Sequence, residues 1–167
     1  MSANSKQVAG THYQPVEGGV QHWDYCVRSN TPNLEYAASK YLSRWRKKNG
    51  LQDLEKALHY VEKRLESIKL HVGALRGGSL IQPLFTKFLT DNNISTPESI
   101  ILYQMMHWKR AEELEQSAEQ IKLLIAKEAA EILENTPTSV LMKRAKARPM
   151  SELMDEEEAE ATAAYVN

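Results

Sequence analysis

The chain has 167 residues, of which 42% are hydrophobic and 26% are charged, so it is long and apolar enough to build a folded core. Its 21 Lys and Arg and 22 Asp and Glu give a formal net charge of -1, which argues against a nucleic-acid partner. The single cysteine, Cys26, excludes an intrachain disulfide framework and a Cys-rich zinc site. The apolar stretches are far shorter than the roughly 20 residues that span a bilayer, and Met1 to Gly10 lacks the apolar core of a signal peptide. We therefore expect a soluble, intracellular protein without a membrane partner.

The first half of the chain predicts a polar arm followed by a helical hairpin. A short helix is expected from about Val20 to Arg28, and a second one from Pro32 to about Lys48. Asn49-Gly50 stops this helix, because both residues tolerate a left-handed conformation. A third helix, from Leu51 to about His71, has the clearest amphipathic pattern in the chain and makes the hairpin antiparallel.

The second half predicts a short helix over residues 80–91 and then one continuous helix from Ser95-Thr96-Pro97 to about Glu134. Apolar residues at steps of three and four along the long helix form a seam for a partner helix, within the chain or from another subunit. The fold class is therefore all-α, with the long helix packing in a bundle or an oligomer. The predicted regions are the hairpin domain with its arm (1–72), a linker (73–79), a helical extension (80–135) and a charged tail (136–167).

The densest candidate site is the end of the second helix, which carries five cations within nine residues. Such a cluster attracts phosphates, because Arg makes bidentate contacts and Lys a point-charge contact. An aromatic neighbour adds a surface on which a base stacks. The alternative is a solvated helix end whose cations interact favourably with the helix dipole. The candidate phosphate-binding residues here are Lys40, Tyr41, Arg44, Lys47 and Lys48.

The pair His12-Tyr13 lies in the polar arm, where His12 can contact a phosphate or transfer a proton, or Tyr13 can simply pin the arm to the hairpin. Asp24, Glu35 and Asp53 lie around the hairpin, where one or two of them could hold Mg²⁺ with a nucleotide's phosphates, and Asp24 and Asp53 are the candidate metal ligands. Carboxylates at such places are otherwise helix caps and ion-pair partners. The sequence contains no GxxxxGK[ST] or GxGxxG phosphate loop, no HExxH and no GxSxG.

The long helix is rich in glutamate. All-helical nucleoside-triphosphate pyrophosphohydrolases of the MazG type bind Mg²⁺ through EExxE and a later ExxD. The corresponding candidates here, which match that pattern only in part, are Glu112, Glu115, Glu128 and Glu131. A solvated helix face is the alternative interpretation of the same residues.

Thr11 to about Glu66 resembles a small domain widespread in bacteriophages, called SaV-like, which has an HY pair, an IKYLWRAGKK segment and an EDLKKAxWYLER segment. The matching residues are His12, Tyr13, Lys40, Tyr41, Arg44, Lys47, Lys48, Asp53, Leu54, Lys56, Ala57 and Tyr60. One member phosphorylates deoxynucleoside monophosphates without a phosphate loop. The chain departs from the family at Tyr36-Ala37, where Gly-Asn is usual, and at Trp45-Arg46, where Ala-Gly is usual.

The resemblance implies a phage protein in the host cytoplasm with a nucleotide site. The first hypothesis is a deoxynucleoside monophosphate kinase that uses ATP and Mg²⁺. In this kinase, the cations at the end of the second helix and Tyr13 would bind phosphate, and Asp24 or Asp53 would hold the metal. His12 and Asp53 would be the catalytic residues. The alternatives are a non-catalytic protein that sequesters a nucleotide or binds a host defence protein, and a MazG-like pyrophosphohydrolase. A homo-oligomer formed through the long helix is expected with each of them.

Overall fold

A computed structural model describes residues 16–139. The described residues form six α-helices and no strand, which confirms the predicted all-α class. The helices are α1 (His22–Ser29), α2 (Asn33–Arg44), α3 (Leu51–Lys69), α4 (Gln82–Asp91), α5 (Thr96–His107) and α6 (Ala111–Asn135), with a 3-10 turn at Trp45–Lys47. None of these helices is both long enough and apolar enough to cross a lipid bilayer.

Helices α2 and α3 run antiparallel and pack along each other. Arg44 near the end of α2 contacts Asp53 near the start of α3, and Glu35 at the start of α2 contacts Arg64 in the second half of α3. The chain reverses at Gly50, whose φ of 54° is a left-handed backbone conformation that glycine adopts at little cost. The buried faces of the two helices carry Leu42, Leu54, Ala57 and Val61.

The core of the unit that ends at Glu128 combines these residues with aromatic and methionine side chains of the other helices. Tyr25 of α1 and Phe88 of α4 stack with ring centroids 5.6 Å apart, and both are fully buried. Met105 and Met106 of α5 are also fully buried. The start of α6 covers the same core with Leu114, Ala118 and Ile121, so this part of the predicted seam is filled within the chain.

The prediction of one continuous helix from Ser95 to Glu134 is wrong. Helix α5 ends at His107, because Trp108 adopts an extended conformation with ψ 144° and donates its indole N–H to Glu35. The side chain of Glu113 then accepts from the backbone N–H groups of Lys109 and Arg110 and starts α6. In the unit that begins at Ala129, the last turns of α6 leave Ile132 and Leu133 exposed.

The segment predicted as a linker, residues 73–79, makes specific backbone contacts. The N–H groups of Gly77 and Gly78 donate to the carbonyls of Trp108 and Met106, and that of Ser79 donates to Ser29. A Cβ on Gly77 would lie 2.6 Å from the Met106 carbonyl oxygen, so only glycine fits against the end of α5.

Candidate functional site

The predicted basic cluster is divided between two surfaces. Helix α2 ends at Arg44, and the following 3-10 turn changes the direction of the next side chains. Arg46 and Lys47 reach Glu98 and Asn92, whereas Arg44 contacts Asp53 of α3. Lys48 is exposed beside the turn. The five cations therefore do not form one phosphate clamp.

One of these surfaces combines two lysines and two tyrosines, and we call it the cation–aromatic face: Lys40 and Tyr41 of α2, Lys56 and Tyr60 of α3. The two tyrosine rings stack with centroids 5.9 Å apart and an interplanar angle of 10°. The ammonium groups of Lys40 and Lys56 lie 5.6 and 5.8 Å from the centroid of the Tyr41 ring. All four side chains are partly exposed. The hairpin thus brings cations and ring faces together at one accessible place.

Arg44 and Asp53 lie beneath this face as a buried ion pair. The Arg44 guanidinium donates to both carboxylate oxygens of Asp53, at 3.0 and 3.4 Å, and lies 4.8 Å from the centre of the Tyr41 ring. The Asn49 amide also donates to Asp53, at 3.2 Å. Asp53 is fully buried, so it neutralises Arg44 and ties α2 to α3. The accessible positive charge of the face comes from Lys40 and Lys56.

The Tyr41 hydroxyl on this face stays protonated. Burial raises the pKa of Tyr41, and the neighbouring Tyr60 and Asp53 side chains raise it further by disfavouring a negative charge on Tyr41. The face therefore offers a phenol that can donate a hydrogen bond to an anion.

The other predicted metal ligands lie apart from each other. Asp24 accepts from the backbone N–H of Gln21 and caps α1. Glu112 and Glu115 are exposed on α6. Glu128 lies 13 residues beyond Glu115 on the same helix, which is a separation of about 20 Å at 1.5 Å per residue. Such a separation prevents Glu115 and Glu128 of one chain from sharing an ion. Glu131 is likewise exposed. Within residues 16–139 no three His, Cys, Asp or Glu side chains are placed to share a metal.

His12 and Tyr13 lie outside the described residues. Sequence reasoning gave no site role to Lys56 and Tyr60, although both are motif positions. Their spacing of four residues places them on one face of α3, and the Arg44–Asp53 pair sets the register that brings them to Tyr41. Glu98 was also missed, because its contact with Arg46 joins residues 52 positions apart in the sequence.

A buried cluster of His22, Cys26 and Ser39 lies between α1 and α2. The Ser39 hydroxyl donates to the Tyr36 carbonyl, so the His22 Nε2–H donates to Ser39 at 2.8 Å. Burial, aided by the charge of Lys40, lowers the pKa of His22 to about 3, and burial raises the pKa of Cys26 to about 12. Both groups are neutral near pH 7. Because a nucleophilic cysteine must be a thiolate, the cluster is structural.

No curated protein and no solved structure matches the chain. A family model described as a protein of unknown function, DUF3310, matches residues 9–62, about a third of the chain. The match contains the His12-Tyr13 pair, α1, α2 and most of α3, including all four residues of the cation–aromatic face. Residues 9–62 are therefore a DUF3310 domain, whose function is unknown.

Proposed function

We propose that the chain is a nucleotide-binding protein that holds its ligand at the cation–aromatic face. The observation that carries this proposal is the arrangement around Tyr41, whose ring has an ammonium group from each helix of the hairpin within 6 Å and a stacked tyrosine beside it. Two lysines suit a phosphate dianion, and tyrosine rings offer a stacking surface to any base.

The sequence resemblance supports the same place. Lys40, Tyr41, Lys56 and Tyr60 are all among the positions shared with the SaV-like pattern. From that resemblance we also take the phage origin, the host cytoplasm and the class of ligand, a deoxynucleoside monophosphate.

Binding without turnover is the activity that the described residues favour. Phosphoryl transfer from ATP needs Mg²⁺ near the phosphates, and the carboxylate next to the face, Asp53, is committed to Arg44. The kinase reaction that the resemblance implies would depend on His12, with a metal held outside the Arg44–Asp53 pair. The pyrophosphohydrolase is not proposed, because its glutamates are too far apart on α6.

The test is calorimetric titration of each deoxynucleoside monophosphate into the wild-type chain and into K40A/K56A. Loss of two charge-assisted contacts should weaken binding by about 10- to 100-fold or more. The matched control is K69A/K109A, which removes two exposed lysines outside the face, one at the end of α3 and one between α5 and α6, and should leave affinity within about twofold. Equal weakening in both double variants would show that only overall charge matters and would contradict the proposed site.

A chromatographic assay on the same samples separates binding from catalysis. Diphosphate formed from ATP and a monophosphate, in the presence of Mg²⁺, would establish a kinase. Nucleotide recovered unchanged but bound would establish a sequestering protein. Triphosphate loss with pyrophosphate release would contradict the proposed function.

A further inference from the structure

A second polar pocket lies between the 3-10 turn after α2 and the start of α5, and we call it the Glu98 pocket. Its volume is about 30 Å³, and its lining includes Lys47, Asn92, Ser95 and Glu98. Arg46 stands at the rim, where its side chain is 58% exposed. The cations at this pocket, Arg46 and Lys47, are the ones that do not belong to the cation–aromatic face.

The two carboxylate oxygens of Glu98 are satisfied unequally. Oε1 accepts from the Trp45 indole at 3.2 Å and from the Arg46 guanidinium at 2.9 Å through Nε and 2.7 Å through Nη2. Oε2 is buried and has no hydrogen-bond partner among residues 16–139, although Glu98 is only 2% exposed. Buried polar atoms are nearly always hydrogen-bonded, so this oxygen requires a donor from outside the described side chains.

The size and charge of the pocket restrict that donor. A volume of about 30 Å³ accommodates one water-sized group. Arg46 and Lys47 together outweigh the single negative charge of Glu98, so a cationic donor is disfavoured and a neutral hydroxyl is favoured. The Lys47 ammonium donates one hydrogen bond, to the Asn92 carbonyl at 2.8 Å, and an ammonium carries three donors.

We propose that the Glu98 pocket binds a sugar phosphate, with a sugar hydroxyl donating to Glu98 Oε2 and the phosphate contacting Lys47 and the exposed part of Arg46. The hydroxyl fills the small cavity, and the phosphate stays at the rim, where both cations are accessible. This inference does not depend on the cation–aromatic face, since it concerns different residues.

The test compares ribose 5-phosphate with inorganic phosphate by calorimetry, in the K40A/K56A background so that the cation–aromatic face does not contribute. Ribose 5-phosphate should bind about tenfold or more tightly than inorganic phosphate, because only the sugar phosphate can place a hydroxyl on Glu98 while its phosphate stays on the cations at the rim. K47A should weaken both ligands by about tenfold, and E98Q should remove most of the preference for the sugar phosphate.

Two controls keep the test decisive. Circular dichroism melting checks that E98Q is folded. If E98Q is unfolded, K47A still tests the site, because it alters a partly exposed side chain. K63A, on α3, should change neither affinity. Equal binding of the two ligands, or a preference that survives in folded E98Q, would overturn the proposal. A crystal saturated with ribose 5-phosphate that keeps only a water on Oε2 would overturn it as well.

Discussion

Arg64 and Glu35 form a buried ion pair that joins the second half of α3 to the start of α2. The Arg64 guanidinium donates to both oxygens of Glu35, at 2.8 and 2.9 Å, in a bidentate arrangement. The Trp108 indole donates to the same carboxylate at 2.6 Å, and both charged residues are at most 2% exposed. This pair holds the hairpin together far from its turn and fixes the end of α5 against it.

Replacing Glu35 by Gln keeps the shape of the side chain and removes its charge. Arg64 is then buried without a counter-ion, so the free energy of unfolding should fall by about 3–5 kcal/mol in urea denaturation. E66Q is the matched control, because Glu66 forms an exposed pair with Lys63 on the same helix and should leave the urea midpoint nearly unchanged. An E35Q variant with the unfolding free energy of the wild type would contradict this prediction, because the charge of Arg64 would not depend on Glu35.

At the level of elements, Gly77 and Gly78 both bond to the end of α5, and the close approach of Gly77 to it is specific to glycine. Their N–H groups satisfy carbonyls at the point where α5 ends, and a Cβ on Gly77 would clash with backbone atoms. G77A should therefore destabilise the chain by about 1–3 kcal/mol, measured by chemical denaturation. R76A, an exposed change one residue earlier, should have little effect. Equal stability of G77A and R76A would mean that this segment shifts freely.

The helices that local signals define were largely predictable. Asn49-Gly50 marks the hairpin turn, and Thr96-Pro97 marks the start of α5. The break at Trp108 was not predicted, because it depends on an indole contact with Glu35, 73 residues away. Glu113, three residues after Arg110, was an available signal for the start of α6.

The candidate site was predictable only in part, for a related reason. Lys40, Tyr41 and Arg44 were identified from their residue types and spacing. Their division from Arg46 and Lys47 depends on Glu98 and Asn92, which tertiary packing brings to the end of α2. Asp53 is buried because it pairs with Arg44. From the sequence alone, a buried partner of Arg44 could not be distinguished from an exposed metal ligand at this position.

For the whole molecule, two buried neutral histidines link stability to pH. Burial lowers the pKa of His22 to about 3, and burial also lowers the pKa of His107, which accepts from the Tyr25 hydroxyl at 2.8 Å. The unfolded chain takes up these protons near pH 6.5, while the folded chain does not. The stability they support is therefore fully present above about pH 6.5 and is lost as the pH falls toward the folded values.

This linkage predicts that the free energy of unfolding depends on pH and that replacing His22 weakens the dependence. Between about pH 6 and 5, above the ordinary range of the carboxylates, the free energy of unfolding should fall by about 1.4 kcal/mol per pH unit for His22 alone. H22Q should show a smaller slope in urea denaturations across this range, whatever its stability at pH 7. An unchanged slope in H22Q would contradict the assignment of a neutral, buried His22.

The central claim, a nucleotide held at the cation–aromatic face, is tested most directly by amide NMR of the full chain during titration with a deoxynucleoside monophosphate. We predict saturable shift changes centred on Lys40, Tyr41, Lys56 and Tyr60, and their loss in K40A/K56A. No change at these four residues with any of the four common bases, or changes there that persist in K40A/K56A, would contradict the claim.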